Sequence, residues 1–180
     1  YTTIFSEIEE NNVDADFDFV FLQAGVGALA ASGSYYFVKR SKQKRPKLIC
    51  VEPLDSDCFL ESIRFGEGEP LATKGDQESI MAGLNCGIPS LVAWPIVKDS
   101  MDLFLAISDK YAEEAMREYH KHGIVSGESG AAGLAALLAL CNNEKLYGAF
   151  KEIGINNESK ILLISTEGDT DPVNYKKILS

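Results

Sequence analysis

Residues 17–33, FDFVFLQAGVGALAASG, decide the fold, because an apolar run stops there at a glycine-punctuated turn and gives way to small residues at helical density. Phe17, Phe19, Val20, Phe21 and Leu22 are nearly continuous in apolar character, as expected of a strand buried on both faces of a parallel sheet. Gly25 and Gly27 allow a sharp turn and a close backbone approach, with no Cβ in the way. Ala28, Leu29, Ala30 and Ala31 then favour a helix. Strand, phosphate loop and helix follow in order, so the backbone around Gly25, Val26, Gly27 and Ala28 and the positive end of the helix dipole converge on one point. That point suits a phosphate. A tight strand-to-helix connection with no ligand fits the same residues.

Composition frames the motif. The chain has 180 residues, of which 46% are hydrophobic and 24% charged, enough to build one ordinary domain core. We expect residues 1–180 to form a single α/β domain. A net charge of −10, from 27 acidic and 17 basic residues, opposes binding to nucleic acid or to an anionic membrane surface. No apolar run reaches the roughly 18 residues of a membrane span, and no signal-peptide pattern is present, so a cytoplasmic location is expected. The four cysteines (Cys50, Cys58, Cys86, Cys141) lack CxxC spacing, which argues against zinc and against a disulfide framework. Whether Cys58 and Cys86 meet stays open. The chain opens at Tyr1 in helix-like sequence, and a fragment of a longer protein is expected.

Working outward, Thr2 to Glu10 reads as a helix with Ile4 and Ile8 one turn apart, and residues 11–16 as its exit loop. Beyond the glycine turn, the helix continues through Val38 into the basic loop KRSKQKRPK, residues 39–47, which reads as a solvated connection. Leu48 to Val51 is a second strand, ending at Glu52. An acid at that place is also what a dinucleotide-binding module shows, where it meets a ribose. A short helix is expected within residues 55–66, followed by an irregular stretch in which Met81, Ala82, Gly83 and Leu84 suit a loop packed close against something. Pro89 is read as a helix start, with Pro95 as a kink. Leu103 to Ile107 is a third strand, and Ser108 and Gly123 bracket a helix. His120 and His122 are two apart on that helix and read as surface residues rather than metal ligands. Glu128 to Cys141 is expected to be helical, its first turn bare enough to contact a strand or a flat ligand. Lys160 to Ser165 is a fourth strand. Its end places Ser165 and Thr166 at the same sheet edge as Gly25 and Gly27, where open parallel sheets bind ligands.

Taken together, GVGALA, VEP, SIMAGLNCG, GESGAAGLAAL and LLISTEGDTDP resemble the diaminopropionate ammonia-lyases, pyridoxal-phosphate enzymes of the tryptophan-synthase β-subunit fold. The resemblance covers essentially the whole chain, and SIMAGLNCG and ISTEGDTDP carry most of it. It implies an α/β fold with a mostly parallel open sheet and helices on both faces, the C-terminal portion of the large domain. It implies pyridoxal phosphate as cofactor, an amino-acid substrate and a homodimer. Gly25, Val26, Gly27 and Ala28 would bind the cofactor phosphate, Ser165 or Thr166 would set a hydroxyl against the pyridine nitrogen, and Glu128 would open a helix beside the ring. A neutral hydroxyl bonds that nitrogen without holding it protonated. In the family's reaction, the α-proton of 2,3-diaminopropionate is removed and the β-amine leaves, and the product hydrolyses to pyruvate and ammonia.

Members of the family hold the cofactor on a lysine of an N-terminal segment, and none of the lysines here has a comparable context. No catalytic residue is therefore carried over, and the 180 residues alone are expected to be inactive. Asp169 and Asp171 read as turn formers. Apolar residues near Met81 and Leu84 are expected to be uncovered and to favour self-association. The alternatives are a dinucleotide-binding module, which leaves SIMAGLNCG and ISTEGDTDP without a role, and a non-catalytic small-molecule-binding domain.

Overall fold

Alternation along β1 (Phe19–Gln23) divides the interior in two. Phe19 and Phe21 join one apolar cluster while Val20 and Leu22 join another, because successive strand side chains leave opposite faces. β2 (Lys47–Pro53) repeats the division, with Ile49 and Val51 on the first side and Leu48 and Cys50 on the second. A sheet apolar on both faces needs cover on both. In the computed structural model, which describes residues 1–11, 16–40 and 45–180, helices supply that cover. The second face is covered by α1 (Thr2–Asn11), α2 (Ala28–Arg40), α3 (Cys58–Phe65) and α4 (Ala93–Ser100). The first is covered by α5 (Asp109–Lys121), α6 (Ala132–Asn142), α7 (Tyr147–Ile153) and α8 (Pro172–Leu179).

With β3 (Leu103–Ile107) and β4 (Ile161–Leu163), the strand order is β3-β2-β1-β4, and every pair is parallel. The fold is α/β with an open parallel sheet, as expected from the sequence. The chain steps from β1 to β2 to β3 in one direction and then returns to the far side of β1 to lay down β4. The gap between the C-terminal ends of β1 and β4 is therefore the topological switch point, where ligands bind in such sheets.

Several local expectations are corrected. β1 starts two residues after Phe17, which is only partly buried. α4 starts at Ala93, not Pro89, and Pro95 sits in its first turn, where an N–H has no intrahelical partner to lose. Ser108 holds the N-cap position of α5 in extended conformation, but its side chain makes no capping bond. The helix expected from Glu128 begins only at Ala132. Tertiary bonds hold the residues before it as a turn: Gly127 N–H donates to the Glu167 carbonyl, and Ser129 N–H donates to the Glu167 carboxylate. The bare positions there are packing positions, since a Cβ on Gly127 or Gly130 would run into Glu167. β4 is shorter than the expected 160–165, because the Ile164 carbonyl turns to the Gln23 side chain. Met81 and Leu84 themselves are buried, while the apolar residues Ile88, Leu91 and Val92 near them are exposed.

Residues 12–15 of the expected exit loop and 41–44 of the expected basic loop lie outside the described residues. Of the rest of that loop, Arg45 forms a two-pronged pair with Asp102, and the Lys47 ammonium donates to the Ile153 carbonyl. His120 and His122 are exposed. Asp171 caps α8, accepting from Val173 and Asn174 N–H. Among the described residues, no helix is long and apolar enough to cross a membrane.

Candidate functional site

A crevice of about 350 Å³ opens at the switch point, walled by the β1–α2 turn, the loop at Gly83–Cys86, Ser129 and the residues after β4. The turn is shaped by its glycines. Gly27 has φ +97°, and a Cβ there would overlap the Phe59 ring and Ala93. At Gly25 a Cβ would come within 2.9 Å of the Cys86 sulfur. The first intrahelical bond of α2 is Ala31 N–H to the Gly27 carbonyl. The N–H groups of Gly25, Val26, Gly27 and Ala28 have no acceptor among the described residues, so a cluster of unspent donors sits at the positive end of the helix.

The opposite wall is tied together by hydrogen bonds that join three loops distant in sequence. Gly83 N–H donates to Ser129 Oγ at 3.0 Å, Ser129 N–H donates to Glu167 Oε2 at 3.0 Å, and Thr170 Oγ1 donates to Glu167 Oε1 at 2.6 Å. Glu167 thus spends both oxygens on the wall. Gln23 closes the floor: it is 2% exposed, and its Nε2 donates to the Ile164 carbonyl at 2.8 Å and to Thr166 Oγ1 at 3.0 Å.

Of the residues singled out from the sequence, Gly25, Val26, Gly27, Ala28 and Thr166 line the crevice together. Ser165 and Glu128 are not among its lining. The Ser165 hydroxyl donates to Ser126 Oγ at 2.9 Å, and the Glu128 carboxylate accepts from Asn174 Nδ2 at 2.6 Å, which ties α8 beneath the turn. Gln23 and Ser129 were not singled out as site residues. A polar residue closing an otherwise apolar strand was the available signal for Gln23; Ser129 offered none, because only the fold brings it to Gly83.

Glu52 is placed where it cannot meet a ribose. It is fully buried, and its two oxygens accept from Phe59 N–H at 2.8 Å and Leu60 N–H at 2.9 Å in the first turn of α3. Burial pushes its carboxyl up to about 8, against the opposing pull of these two N–H groups. The same turn carries Cys58, whose sulfur lies 3.9 Å from the Gly25 carbonyl and whose thiol is pushed well up by burial. Cys58 and Cys86 both lie against Gly25 and are free thiols. Through Cys58 and Phe59, the Glu52-capped turn braces the glycine loop from behind.

A larger hollow, of about 580 Å³, lies at the opposite edge of the sheet, lined by Asp18, Arg45, Lys47 and residues of the 153–159 loop. It is the weaker candidate despite its volume. Its cations are already engaged, Arg45 by Asp102 and Lys47 by the Ile153 carbonyl, and it lies away from the switch point.

A family described as pyridoxal-phosphate dependent enzyme matches residues 1–153. Diaminopropionate ammonia-lyase of Salmonella typhimurium is 38% identical over 164 residues, which is 88% of this chain and 41% of that protein. The crystal structure of Escherichia coli diaminopropionate ammonia lyase in complex with D-serine has a TM-score of 0.86 at 33% identity, over 99% of this chain and 46% of that one. The chain therefore spans less than half the length of these relatives. Serine racemase from Dictyostelium discoideum, at 23% identity and a TM-score of 0.71 over 94% of this chain and 49% of that one, shares the fold.

Proposed function

Because the chain belongs to the pyridoxal-phosphate dependent enzymes, we propose that its crevice holds the cofactor and that the whole protein releases ammonia from 2,3-diaminopropionate, leaving pyruvate. The observation that carries the placement is the cluster of unspent N–H groups on residues 25–28, in a turn whose two glycines let Cys86 and Phe59 pack closely against it. Such a cradle fits a phosphate dianion. When bound, the cofactor supplies an electron sink for the substrate's α-carbon.

The chain's own residues bind, orient and enclose. The β1–α2 turn holds the phosphate, and a hydroxyl at the end of β4 meets the pyridine nitrogen without protonating it, Ser165 and Thr166 being the two candidates. The loop at Gly83–Cys86 and the Ser129–Glu167 pair wall off water, which strengthens every polar contact inside. Glu128 acts from below, by anchoring α8 through Asn174 rather than by touching the ring. A homodimer, as the sequence resemblance implies, and a cytoplasmic location go with this function. The exposed Ile88, Leu91 and Val92 beside the crevice support self-association. The dinucleotide alternative is disfavoured, since the acid it needs is spent on α3.

The test is binding of pyridoxine 5′-phosphate, which carries the phosphate and ring but no aldehyde, so that no covalent bond is needed. Val26 is half exposed at the mouth of the cradle, where a longer side chain has room. Val26→Asp should weaken binding about tenfold by setting a carboxylate near the phosphate, and the loss should shrink as salt is raised. Equal affinity in the two chains, measured by calorimetry, would remove the phosphate from this turn.

No lysine lines the crevice among the described residues. We therefore expect the 180 residues alone to hold pyridoxal phosphate without a covalent bond and to release no ammonia from diaminopropionate. Borohydride reduction of the mixture followed by peptide mapping checks this. Stoichiometric labelling of one lysine, together with ammonia release, would sink the expectation.

A further inference from the structure

Gln23 carries a buried oxygen that no described residue uses. The side chain lines the crevice, and its Oε1 has no hydrogen-bond partner among the described residues. Buried polar atoms are ordinarily paired, so this amide is held in place by the bonds of its other end alone. The other end of the amide is fully engaged. The Ile164 carbonyl can meet only an N–H, which fixes Nε2 as the end facing Ile164 and Thr166. Both amide hydrogens are then spent.

The consequence falls on Thr166. Its Oγ1 already accepts from Gln23, so its own O–H is left to donate to an acceptor in the crevice. Ser165 is in the opposite situation, since its O–H is donated to the buried Ser126 and it is absent from the lining. We propose that Gln23 is a positioning residue that fixes Thr166, and not Ser165, as the hydrogen-bond donor to the pyridine nitrogen, an inference that rests on the cofactor placement above. A hydroxyl held as a donor requires a lone pair on its partner. The ring nitrogen is thereby kept unprotonated by an amide one residue removed from it, with no charged group involved.

Two probes separate this inference from the placement on which it rests: pyridoxine 5′-phosphate, and its 1-deaza analogue, in which CH replaces the ring nitrogen. Thr166→Val, at an exposed position where folding is not at risk, should weaken the nitrogen-bearing probe about 3- to 10-fold, the worth of one neutral hydrogen bond, and leave the deaza probe within twofold. Gln23→Glu removes the amide donors, so the Thr166 hydroxyl should turn to the new carboxylate and present its lone pairs to the ring. The ultraviolet band of the bound pyridine should then shift toward the protonated form at neutral pH, a change that a merely structural role for Gln23 does not produce. Failure of the unsubstituted chain to bind either probe overturns the placement, and this inference with it. Binding of both probes with no selective loss in Thr166→Val, or with the nitrogen dependence carried by Ser165→Ala instead, overturns the inference and leaves the placement standing. An unshifted band in Gln23→Glu likewise overturns the role of Gln23.

Discussion

Glu52→Gln is expected to flatten the pH dependence of folding stability, staying within about 1 kcal/mol of the unsubstituted chain near pH 5 and exceeding it at pH 8. The carboxyl is fully buried, and its value of about 8 in the folded chain stands above the ordinary 4.5. Below the ordinary value both states hold the proton, and the stability of the folded form is fully present. Between 4.5 and 8 the unfolded chain has lost the proton while the folded chain keeps it, so stability falls by about 1.4 kcal/mol per pH unit. Above 8 the fall stops. The whole window is worth up to roughly 5 kcal/mol, and glutamine, which does not titrate, removes it. Its single oxygen still accepts from one N–H of α3, much as the protonated acid does. Urea unfolding of both chains at pH 5 and pH 8 gives the comparison; parallel declines would show that Glu52 is not the titrating group.

Gly27→Ala should cost roughly 4 kcal/mol, the sum of two separable effects. A φ of +97° is strained for any residue with a Cβ, and the added methyl meets the Phe59 ring and Ala93. Gly68 isolates the first effect, because it has φ +100° with nothing within 4 Å of an added Cβ. Gly68→Ala should therefore cost only about 1–3 kcal/mol. In a chain of 180 residues the difference amounts to several degrees in the thermal midpoint. Equal midpoints for the two variants would mean that Phe59 yields and does not brace the turn. The same overlap makes Gly27→Asp unsuitable for measuring a charge effect on phosphate, and this is why Val26 is the position for that measurement.

Helix α1 shows how far a local pattern reaches. The spacing of Ile4 and Ile8 located the helix, but the residue it buries completely is Phe5, stacked at 5.6 Å from Tyr36 and set edge-on to Phe37 at 5.7 Å. Periodicity gives a face, and the partner helix decides which residue on it goes deepest. Leu103 to Ile107 was legible to the residue, because a short apolar run bounded by polar residues has few alternatives. The start of α6 was not. Glu128 sits in a turn braced from afar, since it is Glu167, nearly 40 residues on, that takes the N–H groups of Gly127 and Ser129 on either side of it.

The sequence by itself determined the α/β class, the strand–turn–helix at Gly25–Ala28 and the arrival of a hydroxyl pair at the same sheet edge. Each of these follows from local chemistry: apolar runs that must be buried, glycines that permit a turn, small residues that propagate a helix. Tertiary structure alone decided what the polar residues do. Glu52 became a helix cap because β2 ends beneath α3, Glu128 an anchor because α8 lies beside its turn, and Thr166 lines the crevice while Ser165 turns to Ser126. An apolar side chain needs only to leave water, a demand that any core can meet and that periodicity records. A hydrogen bond needs one partner at one distance and angle, and that partner is chosen by residues far away in the chain.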